Sequence, residues 1–230
     1  ILVYQMGKVG STTVENAIIN AGLTCAHIHS FSGSDSYSLK GKKLFPLINK
    51  LMVRKKKRKV ITIVREPVSR NISTFFQELH TFLYHHIEQY NRSEVDFESV
   101  LNDLFYKSIR HDYPDAWFKE ELEYFFGISL NSICFEHGKG NIIENEYSEV
   151  LILRMEDLSS SEEIISNFVG RDINLVRSNV GSKKWYSPFY KTFKSSVEAS
   201  YVEKCLELEM TKKFYSSKEI SELRVKYCNN

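Results

Sequence analysis

A glycine-containing loop stands between a β-rich run and a helical pattern at the start of the chain. Residues 1–4 are apolar and rich in β-formers, and residues 13–21 suit a helix that ends at Gly22. A second strand is predicted at residues 23–29, before a loop rich in serine and glycine. This alternation of strand and helix indicates an α/β fold with a parallel sheet.

Signals further along the chain extend this pattern. Residues 59–64 form a β-branched run of the kind that parallel sheets bury, and another strand is predicted at residues 149–153. Between residues 67 and 126 aromatic side chains recur at helical spacing, which predicts several helices. The tail, residues 195–227, is predicted to hold two helices separated near Ser216. The fold class expected is a three-layer, P-loop-like α/β domain, with a mostly parallel sheet flanked by helices.

Length and charge limit the classes of function. The 230 residues, 42% of them hydrophobic, suffice for one α/β domain with a buried core, so residues 1–230 are interpreted as a single domain. The formal net charge is only +2, so any anion site must be local. The basic run at residues 54–59 has the composition of a nucleic-acid or nuclear-localisation segment. We interpret it instead as a solvated approach to the third strand, and we expect no nucleic-acid partner.

The cysteines and the hydropathy indicate the cellular compartment to expect for the protein. Cys25, Cys134, Cys205 and Cys228 are widely spaced and form no C-x-x-C pair, which favours a reducing compartment. No apolar run has the length needed to span a bilayer, and nothing resembles a secretory signal. A cytoplasmic location without a transmembrane segment is the expectation, although a leader or anchor could precede Ile1.

The first loop, residues 5–13, has the composition of a phosphate-binding loop. Glycines let the backbone approach an anion, the following helix offers unpaired N–H groups, and a lysine and hydroxyls add donors. The candidate anion-binding residues are Lys8, Val9, Gly10, Ser11, Thr12 and Thr13. The loop is not a Walker A motif, because its lysine precedes the second glycine instead of following it. The alternative interpretation is an ordinary tight turn.

A second loop follows the third strand. Pro67 suits the first turn of a helix, and Arg70 and Ser73 then lie close together on it. Arg65, at the tip of the strand, and Ser73 could bind the same phosphate. The alternative is that Arg65 and Glu66 form a surface ion pair and Ser73 is an exposed helix residue.

Together the two loops resemble the superfamily of sulfotransferases that use 3′-phosphoadenosine-5′-phosphosulfate (PAPS). The resemblance rests on Lys8-x-Gly10-Ser11-Thr12 and Arg65-x-Pro67-x-x-Arg70-x-x-Ser73. Residues 150–158 are similar to the family's strand that ends in an aromatic residue, Glu, Asp and Leu, with Met155 in place of the aromatic. The resemblance runs from Ile1 to about Leu158, and residues 4–11 look like those of bacterial capsular polysaccharide synthesis proteins.

This resemblance implies that the first loop binds the donor's 5′-phosphosulfate and the second its 3′-phosphate. It also implies a bacterial-type carbohydrate sulfotransferase that transfers a sulfuryl group to a hydroxyl, with an oligosaccharide or polysaccharide as acceptor. Lys8 would neutralise charge on the departing phosphate, and no metal is required. The helices of residues 67–126 would shape the acceptor cleft, where some of their aromatic side chains could stack on sugars.

Two histidines lie at the end of the predicted second strand. Alternation places His27 and His29 on one face, and the family's catalytic base, Glu or His, lies at or just beyond this strand. The resemblance therefore indicates this pair, with His29 favoured because it is nearer the carboxyl end. The alternatives are two structural histidines, or a metal pair without further ligands.

A late basic loop, residues 181–188, is where the family closes over the nucleotide. The resemblance implies that Lys183 or Lys184 reaches the 3′-phosphate and that Trp185 packs on adenine. The alternative is a solvated lysine pair beside a core tryptophan. For the whole chain, the competing functions are a P-loop nucleotide kinase or NTPase and a non-catalytic module that binds a nucleotide or a glycan.

Overall fold

A mostly parallel sheet of five strands organises the computed structural model, which describes residues 1–32, 57–90, 96–176 and 184–228. The strands are β1 (Leu2–Tyr4), β2 (Ala26–Ile28), β3 (Arg58–Val64), β4 (Asn141–Glu144) and β5 (Ser148–Arg154). Their order is β2-β1-β3-β5-β4, with every pair parallel except β4 with β5. The carboxyl ends of β1, β2 and β3 therefore share one edge, where open α/β sheets bind ligands.

Helices flank this sheet. In the described residues they are α1 (Ser11–Asn20), α2 (Pro67–Tyr90), α3 (Phe97–Ser108), α4 (Tyr113–Trp117), α5 (Tyr124–Phe126), α6 (Glu162–Val169), α7 (Ser187–Ser195), α8 (Ala199–Leu206), α9 (Glu209–Phe214) and α10 (Ser217–Cys228). A π-helical turn, Phe118–Glu123, makes α4 and α5 one continuous helix. The predicted α/β class is therefore present, with helices throughout the described part of residues 67–126.

Two hydrophobic clusters form the interior. One surrounds the sheet and includes buried side chains of β1, β3, β5, α1 and residues 117–126, and the other consists of side chains from α2, α3, α7, α8 and α10. Residues 67–126 thus contribute to both clusters. Phe75, Phe76 and Trp117 have no exposed surface, so these aromatic side chains belong to the core and offer no face to a sugar. Tyr84, at 77% exposed, is accessible.

Strand β2 is shorter than the sequence predicts because both of its ends are held by other partners. The N–H of Leu23 donates to the carbonyl of Ile18 at the end of α1, at 3.2 Å, so residue 23 belongs to the helix terminus. At the other end, the carbonyl of His29 accepts a hydrogen bond from the Trp117 indole at 2.7 Å. The antiparallel edge strand β4 was not predicted, because its four residues are too short for a clear alternation.

The prediction of two helices in the tail is wrong. The break near Ser216 is present, but a second break separates α8 from α9. The carboxylate of Asp115 accepts hydrogen bonds from the N–H groups of Glu209 and Met210, at 2.9 and 2.8 Å, and so starts α9. This cap comes from a residue far away in the sequence, and no local signal announces it.

The basic run is only partly described, since residues 54–56 lie outside the described residues. Lys57 forms an ion pair with Glu144, and Lys59 Nζ lies 3.6 Å from Glu149 Oε2 and 2.5 Å from the carbonyl of Phe168. Both lysines thus pair within the protein. Among the described residues, no helix has the length and apolar character needed to cross a membrane.

Candidate functional site

The two predicted loops meet at the carboxyl edge of the sheet. Arg65 Nη1 donates to the carbonyl of Lys8 at 2.9 Å and to Ser73 Oγ at 3.1 Å. Arg70, which is buried, donates from Nη2 to the carbonyl of Met6 at 2.6 Å. Two arginines of the second loop therefore fix the backbone of the first. The structure brings Lys8, Arg65 and Ser73 together, as the sequence predicts.

The backbone of the first loop is suited to an anion. Gly7, Lys8 and Gly10 all have positive φ, at 81°, 62° and 78°, and such a conformation in a lysine costs about 1–3 kcal/mol and is found at ligand clamps. A side chain at Gly10 would be strained at this φ, and its Cβ would lie 3.1 Å from Leu158 Cδ1, so the position favours glycine. The helix α1 begins just after it, and no described side chain caps it. At this terminus the N–H of Thr13 donates to the carbonyl of Gly10 at 3.1 Å, and the start of a helix is a favourable position for a bound anion.

The side chains of this loop divide between the core and the site. Val9 is completely buried, so only its main chain can contact a ligand. Ser11 Oγ accepts a hydrogen bond from Gln5 Nε2 at 2.8 Å and is 5% exposed. Thr12 and Thr13 are half-buried at the start of α1. The oxygen of Ser11 is thus already an acceptor within the protein.

Positive charge is concentrated around Lys8. The pKa of Lys8 is lowered to about 8, mainly by burial and then by the nearby charges of Lys184, Arg70 and Arg65, while Glu78 opposes the shift. An ammonium group surrounded by other cations is stabilised when an anion binds beside it. Lys8 therefore lies among other cationic side chains at this edge of the sheet.

The two histidines lie side by side, with ring centroids 4.9 Å apart. His27 Nδ1 contacts Glu15 Oε2 at 2.7 Å, and its Nε2 contacts Gln5 Nε2 at 2.9 Å. His29 Nδ1 lies 2.8 Å from the same Gln5 nitrogen and 3.3 Å from the Gln5 carbonyl. Gln5 therefore connects the first loop to both histidines, a role that the sequence did not reveal.

Hydrogen bonds of this network orient the rings of both histidines. Since a carboxylate only accepts, the His27 nitrogen that faces Glu15, Nδ1, carries a hydrogen, and its Nε2 accepts from Gln5. The Gly7 N–H donates to Gln5 Oε1, which fixes the amide so that its nitrogen faces Ser11, His27 and His29. The contact of His29 Nδ1 with Gln5 Nε2, at 2.8 Å, is shorter than its contact with the Gln5 carbonyl, at 3.3 Å. Gln5 therefore holds both rings in place.

Helix α7 brings two further residues that the sequence analysis missed. Tyr190 Oη lies 3.1 Å from Ser73 Oγ. Burial lowers the pKa of Lys194, with Glu66 opposing this shift and the charge of Arg65 adding to it, so Lys194 lies near the second loop. The two residues are four apart on one helix, just after the late basic loop. That spacing is the signal that could have identified them.

Glu66 does not form the surface ion pair considered as an alternative for the second loop. It is 3% exposed, and its carboxylate accepts hydrogen bonds from the N–H of Ser69 at 2.9 Å and from the hydroxyl of Tyr227 at 2.6 Å. The first contact caps α2, and the second joins the loop to α10. Glu66 is therefore a buried support of the second loop.

The late basic loop is described only in part. Lys183 lies outside the described residues, whereas Lys184 is close enough to lower the pKa of Lys8. Trp185 is 64% exposed, with its ring centroid 5.6 Å from that of Tyr186. The alternative of a core tryptophan is therefore wrong, and the indole face is accessible to a planar ligand.

Among the described residues, no group of three or more histidine, cysteine, aspartate or glutamate side chains is placed to hold a metal ion. Comparisons of the chain with protein-family models, curated proteins and solved structures found no match. A function has to be inferred from the residues themselves.

Proposed function

We propose that this protein is a sulfotransferase that moves a sulfuryl group from PAPS to a hydroxyl of a saccharide. The observation that carries the proposal is the junction of the two loops, where Arg65 contacts both the carbonyl of Lys8 and the hydroxyl of Ser73. A histidine pair is linked to the same junction through Gln5. A candidate anion site and a candidate base thus lie at one edge of the sheet.

The residues present suit a donor with separate anionic groups. Lys8 and the start of α1 would hold the 5′-phosphosulfate, since positive charge and the start of a helix both favour an anion there. Arg65 and Ser73 would hold the 3′-phosphate, with Tyr190 and Lys194 beside them. Trp185 offers an exposed ring for adenine. PAPS supplies the sulfuryl group, and the chain supplies the base and the positive field.

The proposed reaction needs a base and a charge neutraliser. His29 accepts the proton of the acceptor hydroxyl, whose oxygen forms a bond to sulfur as the bond from sulfur to the phosphate oxygen breaks. Lys8 neutralises the charge that develops on that departing oxygen. The products are a sulfate ester, 3′,5′-phosphoadenosine and a proton on His29.

The saccharide acceptor is proposed from the likeness of residues 4–11 to capsular polysaccharide synthesis proteins. The exposed aromatic ring of Tyr84 on α2 is compatible with it, because aromatic faces stack on sugar rings.

Calorimetric titration tests the donor assignment. We expect 3′,5′-phosphoadenosine to bind without magnesium and more tightly than adenosine 5′-phosphate, which lacks the 3′-phosphate. Tighter binding of ATP with magnesium would instead support a nucleotide kinase or NTPase. Equal affinity for the two adenosine phosphates would remove the proposed role of the second loop.

A further inference from the structure

The segment that follows β2, residues 29–32, is held by the helix that lies across it. We propose that Trp117 and Glu121 of this helix are positioning residues that fix His29 for proton transfer. The inference rests on the proposed function for its catalytic meaning. The contacts themselves are independent of that function.

Trp117 holds the main chain of His29 directly. Its indole Nε1, which can only donate, bonds to the carbonyl of His29 at 2.7 Å. The indole has no exposed surface and packs against the ring of Tyr4, with centroids 5.2 Å apart. A buried donor on a tightly packed ring has little freedom to move. The carbonyl of His29 is therefore fixed relative to β1.

Glu121 holds residues 30–32, the three residues that follow His29. Its fully buried carboxylate accepts from Ser30 Oγ at 2.5 Å, from the N–H of Phe31 at 2.9 Å, and from the hydroxyls of Tyr4 and Ser32. A buried carboxylate is costly unless hydrogen bonds satisfy it, and here donors from two segments converge on it. The carboxylate therefore ties residues 30–32 to the end of β1.

The helix geometry places these two side chains together. Trp117 ends α4, and Glu121 lies in the π-helical turn that follows, four residues later. A π-turn inserts an extra residue and is frequently found at functional sites. Tyr4 directly precedes Gln5, which contacts His29 Nδ1. The helix thus fixes both the backbone of His29 and the strand that carries its ring partner.

The test is Trp117→Phe, which removes the indole N–H but keeps an aromatic ring in the core. We expect kcat to fall about tenfold, since displacement of a catalytic group by a fraction of an ångström has effects of this order. Affinity for 3′,5′-phosphoadenosine should stay within about twofold, because the donor loops are untouched. The ring nitrogen resonances of His29 should shift in NMR spectra, and those of His27 should not. Tyr124→Phe, at an exposed site on the same helix, is the control.

The same measurements are made on Glu121→Gln, with Glu123→Gln, at an exposed position, as its control. If Trp117→Phe does not fold, Glu121→Gln tests the positioning role alone. A kcat within twofold of the wild type, or equal losses of turnover and donor affinity, would overturn the positioning role. If the wild-type protein transfers no sulfuryl group, the proposed function fails and the NMR measurement decides alone. Unchanged His29 resonances in a folded variant would then reject the inference.

Discussion

At the scale of single residues, Arg65 joins the two loops of the proposed donor site. We expect Arg65→Ala to weaken binding of 3′,5′-phosphoadenosine by about 1.5–3 kcal/mol, the range for a hydrogen bond to a charged group. The measurement is isothermal titration calorimetry, with the melting temperature as a check on folding. Arg171→Ala is the matched control, because Arg171 is exposed. Unchanged affinity in a folded Arg65→Ala protein would show that the second loop does not bind the donor.

Lys8 predicts a dependence of donor binding on pH. Burial, together with neighbouring cations, lowers its pKa from 10.5 to about 8, so the free protein loses the charge of Lys8 above about pH 8. A bound polyanion favours the charged form and raises the pKa again. Binding between about pH 8 and 10 should therefore take up a proton, and the affinity should fall as the pH rises.

Calorimetry at about pH 8.5 in buffers of different ionisation enthalpy measures this proton uptake. Lys8→Arg is the control, because a guanidinium stays charged and should bind without uptake. Lys8 also affects stability: its folded pKa lies below its unfolded value, so the unfolded chain binds more protons and stability rises through this window. Proton release, or uptake equal to that of Lys8→Arg, would contradict the assignment.

At the scale of elements, α10 supports the second loop. The hydroxyl of Tyr227 donates to the buried carboxylate of Glu66, which also caps α2. We expect Tyr227→Phe to lower the free energy of unfolding by about 1.5–3 kcal/mol, because the carboxylate loses a buried partner. Urea denaturation measures this, with Tyr124→Phe, whose side chain is exposed, as the control. Equal unfolding midpoints for the two variants would show that α10 does not stabilise the loop.

The elements also show what the sequence could predict. Local signals in the sequence were enough to locate both loops, because glycines, a proline and a β-branched run determine the backbone conformation of the residues next to them. Alternation along β2 placed His27 and His29 on one face, as observed. The start of α9 escaped prediction because its cap, Asp115, is distant in sequence. The sequence left a surface position for Glu66 open, because its burial depends on α10.

At the scale of the whole molecule, the proposed donor site lies where the two hydrophobic clusters adjoin. The loops begin at strands of the sheet cluster, whereas Ser73 and Tyr190 belong to α2 and α7 of the helical cluster. The contacts of Gln5 with His27 and His29 could not be predicted from the sequence, since they form only when β1 pairs with β2. The site thus forms only through tertiary packing, although local signals in the sequence predict its two loops.

The most direct test of the account is transfer from radiolabelled PAPS to a panel of glycans, lipids and phenols. We expect label on a saccharide, with His29→Ala reducing turnover by about 10²–10⁴-fold, the usual contribution of a general base, while affinity for 3′,5′-phosphoadenosine is retained. His27→Ala should have the smaller effect, because His29 lies nearer the carboxyl edge of the sheet, whereas His27 lies within β2. A wild-type protein that binds the bisphosphate but labels no acceptor would contradict the account and identify a non-catalytic binding module.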